Sequence, residues 1–323
     1  MKSKIITTIP VYNGEAFLRQ TLESVAAQTL RPDRLIVLDN CSTDRTEEIA
    51  RSFTGIPCEF IRNASNLGLF GNLNRCLEFA TETEFLHILH ADDLINPEFY
   101  ATTTRLLAAA AGRGMVWCLD ERIDENDSHL SWSGKPDGKI ESLATDDFLK
   151  RKAEIGNQAF CATLLKTDFQ PSPCLFPLGM PILGDMVFWA AYGAHCGKII
   201  HVRRALAKYR WHGTNTTGLH APTVRALILD EWQTMETNEA LRGRGWSLIR
   251  KLKLKGLLAV RSGIKAKRFR QNGNAKYSLE IARAARGITG WPLWLAGKCL
   301  VELRDVYLFG ILRRPRHPKN VYG

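Results

Sequence analysis

The chain has 323 residues, 45% of them hydrophobic and 24% charged, a balance that excludes a disordered polypeptide and supplies enough chain for one large core plus an appendage. Its net charge of +11 is uneven: residues 241–323 carry 20 Lys and Arg against 3 Asp and Glu, a net of +17, whereas residues 1–240 carry 24 against 30. The chain turns polar at once after Met1, and no stretch offers about 18 uninterrupted apolar residues, so neither a signal peptide nor a spanning helix is expected and a cytoplasmic location follows.

In chain order, Lys4 to Ile9 is a β-branched run that predicts a buried strand. Glu15 to Gln28 places Leu18, Leu22, Val25 and Ala26 on one helical face, with Asn13 in the cap region. Leu35 to Leu38 predicts a second strand. Asp44 with Glu47 fits a capping box before the helix of Ile49, Ala50 and Phe53. Cys58 to Ile61 predicts a third strand, Leu73 to Ala80 a helix, Phe85 to Leu89 a fourth strand, Glu98 to Ala111 a helix started by Pro97, and Met115 to Leu119 a fifth strand. This alternation predicts an α/β fold with a doubly wound, mostly parallel sheet flanked by helices. The region from Gly134 to Gly218 is irregular, and past Ala221 the chain turns helical and basic. Eight cysteines without a Cys-x-x-Cys pair are expected as free thiols.

In such a sheet ligands bind beyond the carboxyl ends of the strands. Those ends carry Pro10-Val11-Tyr12-Asn13-Gly14-Glu15, Asp39-Asn40-Cys41-Ser42-Thr43-Asp44 and His90-Ala91-Asp92-Asp93. They lack the glycine-rich turns of dinucleotide and phosphate-loop folds, so a nucleotide whose phosphates are held through a metal is expected. Adjacent carboxylates at Asp92 and Asp93 repel one another, and a divalent cation would relieve that repulsion and grip a diphosphate; a helix start is the competing assignment. Asp39 has the chemistry to accept from the imide N–H of a base, or to make an Asx-turn. Tyr12 has the chemistry to stack on the base, or to pack.

The ordered set Ile-Pro-Val-Tyr-Asn-Gly-Glu (9–15), Leu-Asp-Asn-Cys-Ser-Thr-Asp-Arg-Thr (38–46), Asn66/Gly68/Asn72/Asn74 and Leu-His-Ala-Asp-Asp (89–93) resembles the family-2 inverting glycosyltransferases of GT-A type over roughly residues 4 to 215. The resemblance implies a sugar transferred from a nucleotide-diphosphate sugar to an acceptor hydroxyl, with Mg2+ or Mn2+ as cofactor. It implies that Pro10, Tyr12, Asn13, Glu15 and Asp39 hold the base, that Asn66, Gly68 and Asn74 lie near base, ribose and diphosphate, and that the D-x-D element falls on His90-Ala91-Asp92. Asp92 is then the cation ligand, with Asp93 beside it. His90 stands where the first aspartate is usual, and Asp39-Asn40-Cys41-Ser42 where the family has Asp-Asp-Gly-Ser. Gly184-Asp185, before Met186 to Ala194, matches the motif that carries the catalytic base, so Asp185 is expected to deprotonate the acceptor; it also fits a helix cap. Tyr209-Arg210-Trp211-His212 matches a segment near the diphosphate or metal, with His212 as a candidate ligand. Asn157-Gln158 falls where an acceptor-side polar segment is found.

A nucleotidyltransferase and a non-catalytic sugar-nucleotide module are the alternatives; the first needs a glycine-rich, basic loop that Tyr12-Asn13-Gly14 lacks, and Asp92 together with Asp185 disfavours the second. The tail mixes Trp246, Trp291, Trp294, Tyr307 and Phe309 with Lys and Arg, which suits an anionic membrane surface and a lipid-linked or cell-surface glycan acceptor. Packing onto the main domain is the competing account, and no nucleic-acid motif is present. The expected division is residues 1–218 as the transferase domain, with a nucleotide-sugar part to about 120 and an acceptor part beyond, and 219–323 as a helical basic extension.

Overall fold

The computed structural model describes residues 3–155, 158–180, 182–213, 221–243 and 247–305. They fall into two compact units, Met1–Leu178 with Asp185–Gly213, and Gly179–Gly184 with Thr214–Gly323. The first contains β1 (Ser3–Val11), α1 (Leu18–Ala26), β2 (Arg34–Asp39), α2 (Thr46–Arg51), β3 (Cys58–Arg62), α3 (Gly68–Leu77), β4 (Thr83–Ile88), β5 (Leu94–Ile95), α4 (Phe99–Ala108), β6 (Gly114–Ile123), β7 (His129–Trp132), β8 (Ile140–Leu143), α5 (Thr145–Ile155), β9 (Thr163–Lys166), α6 (Gly184–Ala194) and β10 (Lys198–Arg210).

One mixed sheet runs β3-β2-β1-β4-β9-β6-β10-β5, with β7 on β6 and β8 on β10. Strands β3, β2, β1 and β4 are parallel. β1 and β2 are buried along nearly their whole length, Ile5, Ile6, Ile9 and Leu35 to Leu38 being almost inaccessible, as strands covered on both faces must be. α1 buries Leu18, Leu22 and Val25, one stripe at helical spacing.

One pairing is not readable from the sequence, and two local expectations are corrected. β4 and β6 are not neighbours: β9 lies between them, antiparallel to both, with Leu165 opposite Leu86 and Met115. Asn13 does not cap α1; it takes a left-handed φ of 53° and its Oδ1 accepts from the Thr43 N–H, and the helix starts only at Leu18 after a turn. Asp44 and Glu47 form no capping box: Asp44 accepts from the Glu15 and Thr46 N–H groups, and Glu47 pairs with Arg51.

β10 brings the late part of the chain to the strand ends. It runs parallel to β6, so that Arg210 lies opposite Ile123, and it accommodates irregular register between Val202 and Ala207. It is also antiparallel to β5, with Ala207 opposite Ile95. Arg210 and His212 are thereby delivered to the turn between β4 and β5, which is the His90 to Asp93 segment.

Beneath that turn a buried chain of polar groups ties the sheet to α4. Thr7 Oγ1 lies 2.5 Å from the Tyr100 hydroxyl, which lies 2.9 Å from His87 Nδ1; His87 Nε2 is 3.2 Å from the Cys161 carbonyl. A carbonyl only accepts, so Nε2 carries the proton, Nδ1 accepts from Tyr100, and Tyr100 accepts from Thr7. Burial holds the His87 imidazole neutral, its pKa down to about 3 from 6.5. The unfolded chain takes up this proton near pH 6.5 and the folded chain near pH 3, so the stability from a neutral His87 is complete above 6.5 and is lost as pH falls between those values. The expected loss is up to about 1.4 kcal/mol per pH unit within that window. Denaturant midpoints at pH 7 and pH 4 check it: His87→Gln should show a weaker pH dependence than the wild type.

The second unit contains four helices among the described residues, α7 (Ala221–Leu241), α8 (Leu248–Gln271), α9 (Ala275–Thr289) and α10 (Trp291–Asp305). Ile228, Met235, Leu258, Phe269, Ile281 and Trp294 contribute to its core. Two buried carboxylates of this unit are neutralised by cations, Glu231 by Arg261 and Lys265 of α8, and Glu239 by Arg242 and by Arg250 of α8. Ser247 caps α8 by accepting from the Arg250 N–H. No helix among the described residues is long and apolar enough to cross a membrane.

Candidate active site

The site sits at the carboxyl ends of β1, β2 and β4. The loops after β1 and β2 are laced together. Asn13 N–H donates to Ser42 Oγ at 2.8 Å, Gly14 N–H to Thr46 Oγ1 at 2.8 Å, Glu15 N–H to Asp44 Oδ2 at 2.9 Å, and Thr43 N–H to Asn13 Oδ1 at 2.9 Å. Arg45 N–H returns to Glu15 Oε2. Asn13 and Glu15 therefore shape the loop, Pro10 is a buried residue of β1, and Tyr12 is left half-exposed between them.

Asp39 ends β2 with its carboxylate fully covered. It accepts from the Ser42 N–H, which is the Asx-turn arrangement, and from Arg62 Nη1 at 3.0 Å. Asn40 bridges the next segment: its Nδ2 donates to Asn66 Oδ1 at 2.9 Å and its Oδ1 accepts from Leu67 N–H and Asn63 Nδ2. Asn63 donates on to Asn72, and Asn72 to the Leu38 carbonyl. This amide ladder fixes the loop before α3, with Asn66 and Gly68 at its exposed surface. Gly68 has φ +72° and no atom stands within 4 Å of where a Cβ would lie, so its glycine answers to backbone conformation rather than to crowding. Asn74 points elsewhere: its amide donates to the Phe176 carbonyl at 3.0 Å and accepts from the Phe176 N–H at 2.7 Å.

Cys41 occupies a left-handed backbone position, φ 66°, with its thiol on the Asn63 carbonyl. That conformation accounts for the glycine usual at this place in the resembling family, because only glycine adopts it without a Cβ penalty. Cys41→Val is expected to lower stability by about 1–3 kcal/mol, since a β-branched side chain is worse still at positive φ, whereas Cys41→Gly should be tolerated; thermal melts of both variants check this.

The turn after β4 carries the acidic cluster. One nitrogen of His90 and one oxygen each of Asp92 and Asp93 lie within 4.8 Å of one another. His90 stacks on Phe160 with ring centroids 4.5 Å apart, and its Nε2 is buried without a hydrogen-bond partner, as is Asp93 Oδ2. Asp92, part-exposed like His90, meets His212 Nε2 at 2.9 Å. Burial alone would raise its pKa, but the hydrogen bond from His212 and the charges of His90 and His212 prevail and hold it below the ordinary carboxylate value. Asp93 is buried, and burial followed by the charge of Asp92 pushes its pKa well above the usual range. A set of two carboxylates and an imidazole, two of its atoms orphaned, fits a divalent cation. Ala91 supplies its carbonyl to Thr21 Oγ1 and has no side-chain chemistry of its own.

Arg210 is a structural centre of this turn that its motif did not announce. Its side chain is fully buried, Nε donating to the Asp92 carbonyl at 2.9 Å, Nη2 to Gln20 Oε1 at 2.7 Å and Nη1 to Asp127 Oδ1 at 2.6 Å, while its own N–H donates to Asp93 Oδ1. Its guanidinium also lies 4.6 Å from the Phe17 ring, against which His212 packs at 4.9 Å. One residue thus locks the Asp-Asp turn to α1 and to the β6–β7 turn. Asp185 lies in the first turn of α6, and its Oδ1 accepts from the Met186 N–H at 2.8 Å. Gln158 is buried, and Asn157 lies outside the described residues, as do Trp246, Tyr307 and Phe309.

Residues 7–164 match Glycosyl transferase family 2. An uncharacterized glycosyltransferase of Rickettsia typhi is 27% identical over 92% of this chain and 88% of its own length. One of Rickettsia prowazekii is 32% identical over 65% of this chain and 64% of its own. Among solved structures, Staphylococcus aureus TarS 1–349 in complex with UDP-GlcNAc superimposes with a TM-score of 0.56 at 16% identity, over 88% of this chain and 92% of that one. The segment from β1 to β9 thus carries a glycosyl transferase family 2 domain, and the fold is shared with TarS over most of the chain.

Proposed function

We propose that this chain is a glycosyltransferase that takes its sugar from a nucleotide-diphosphate donor, depends on a divalent cation and inverts the anomeric centre. The observation that carries the proposal is the His90, Asp92 and Asp93 cluster at the end of β4, whose buried orphan atoms and part-exposed carboxylate suit a cation. The complexes of TarS with UDP-GlcNAc and with UDP support a nucleotide-sugar donor for the shared fold.

In this account Asp92 would hold Mg2+ or Mn2+ with His90 and Asp93, and His212 fixes the Asp92 carboxylate by its hydrogen bond. Bound there, the cation would neutralise the leaving diphosphate and take the place of a general acid. Tyr12 and the laced loops after β1 and β2 receive the base, and the exposed edge at Asn66 and Gly68 borders the ribose and phosphates. Asp185 accepts the proton of the acceptor hydroxyl as its oxygen bonds to the anomeric carbon and the bond from that carbon to the diphosphate oxygen breaks. The donor part lies within about residues 1–120, the acceptor part within 121–218, and residues 219–323 form an extension.

The acceptor is a hydroxyl of a lipid-linked or cell-surface glycan, approached at the inner face of the membrane. Support comes from α8, which leaves Leu248 at 72% and Ile249 at 81% exposure in the same turns as Lys251 and Lys253, and from α10, which leaves Trp291 at 62% exposure against Arg286. The protein is expected to float with vesicles containing phosphatidylserine at low salt and to be released at about 0.5 M salt; no flotation at low salt would contradict the membrane part. The enzymatic part is tested by incubating the protein with a panel of nucleotide sugars and measuring nucleoside diphosphate release. Cation-dependent release from one donor class is the expected result, and equal release in EDTA would contradict the proposal.

A further inference from the structure

We infer that Arg62 reads the nucleobase and makes the donor site select a keto base, uracil, thymine or guanine, over an amino base, cytosine or adenine. The inference rests on the proposed nucleotide-sugar site and names a determinant within it.

The carboxylate of Asp39 is not the group that this site shows to solvent. Its side chain is 0% exposed, whereas that of Arg62 is 43% exposed. The parallel register of β2 and β3 sets Asp39 directly opposite Arg62, the last residues of their strands, so the guanidinium closes over the carboxylate. Arg62 Nη1 lies 3.0 Å from Asp39 Oδ2 and 3.6 Å from Glu47 Oε2, and Nη2 donates to the Ser42 carbonyl at 2.9 Å. Two carboxylates and a loop carbonyl therefore orient a planar group whose five N–H donors exceed these acceptors. The Ser42 that it grips also receives the Asn13 N–H, next to the half-exposed Tyr12. The guanidinium is thus fixed to the same pair of loops that would receive the base.

A guanidinium offers donors only. Uracil and thymine present O4, and guanine O6, beside an imide N–H. Cytosine and adenine place an amino group at the corresponding position, and an amino group facing Arg62 leaves donor against donor. A polar site built to meet one hydrogen-bonding edge rejects the edge that leaves its groups unpaired.

The test is nucleotide binding by calorimetry with Mn2+, using UDP, dTDP, GDP, CDP and ADP. The proteins are the wild type, Arg62→Ala and Arg62→Gln, each checked by circular dichroism and thermal melting. The glutamine is included because it leaves a group over Asp39 while offering both a donor and an acceptor. The wild type is expected to bind at least one keto nucleotide about tenfold more tightly than CDP and ADP, and Arg62→Gln to narrow that ratio to about threefold or less while still binding diphosphate. A folded Arg62→Gln protein that keeps the full ratio, or a wild type that prefers CDP or ADP, overturns the role of Arg62 and leaves the donor site standing. Binding of none of the five by the wild type overturns the donor site itself and this inference with it.

Discussion

Asp92→Asn is expected to lower turnover by about 100- to 1,000-fold while leaving the melting temperature nearly unchanged. The substitution is isosteric, and its amide oxygen still accepts from His212 Nε2, so the bond that holds the side chain survives. The Asp92 carbonyl that receives Arg210 Nε belongs to the backbone and is untouched. What disappears is the negative charge that the hydrogen bond from His212 and the charges of His90 and His212 keep ionised against the cost of burial. Initial rates of nucleoside diphosphate release, with Mn2+ titrated from micromolar to millimolar, check the result. Wild-type rates in the variant at saturating cation would remove Asp92 from the chemistry.

Asp185→Asn should reduce kcat by about 100- to 10,000-fold with donor affinity within a factor of two or three of the wild type. The asparagine keeps an oxygen for the Met186 N–H, so α6 retains the contact seen at its first turn. Asp185→Ser separates the two possible roles. Serine is a good residue for the start of a helix but has no carboxylate to take a proton, so retained folding with turnover as low as in Asp185→Asn is the expected outcome. Normal kcat in either variant would reduce Asp185 to a helix-start residue.

Much of the first unit was legible because its strands are short apolar runs with helical stripes between them. Ile5 to Ile9 and Leu35 to Leu38 are covered on both faces, the first reading as a β-branched run and the second as an apolar one. β9 was not legible: Thr163 to Lys166 is too short for a period, and its place between β4 and β6 is set by pairing across the sheet. β10 was hidden for the opposite reason, since its 13 residues alternate irregularly and carry Arg203 and Arg204 across a change of register. The capping box failed because Asp44 serves the neighbouring loop instead of α2, a competition that spacing alone does not reveal.

The site was legible as a set of strand ends and illegible as a network. Tyr12, Asp39, Asp92 and His212 were selected as residues of the right chemistry, and the structure brings the last two within 2.9 Å. Asn74 resembles its neighbours in sequence, yet its amide is consumed by the backbone of Phe176, 102 positions away. Arg62 carried no local signal, and Arg210 stood out only as one member of the Tyr209-Arg210-Trp211-His212 segment. The first acquires its role from the β2–β3 register and the second from burial beneath the Asp-Asp turn, and both are properties of the assembled sheet.

The most direct test of the account is thermal stabilisation by UDP, GDP, dTDP and CDP, each with and without Mn2+, measured on the wild type and on Asp92→Ala. The account predicts that at least one nucleotide raises the melting temperature of the wild type by several degrees, that the shift requires the cation, and that Asp92→Ala abolishes it. Stabilisation that is indifferent to Mn2+ or retained in Asp92→Ala, or no stabilisation by any nucleotide, would contradict a cation-dependent nucleotide-sugar site at the end of β4.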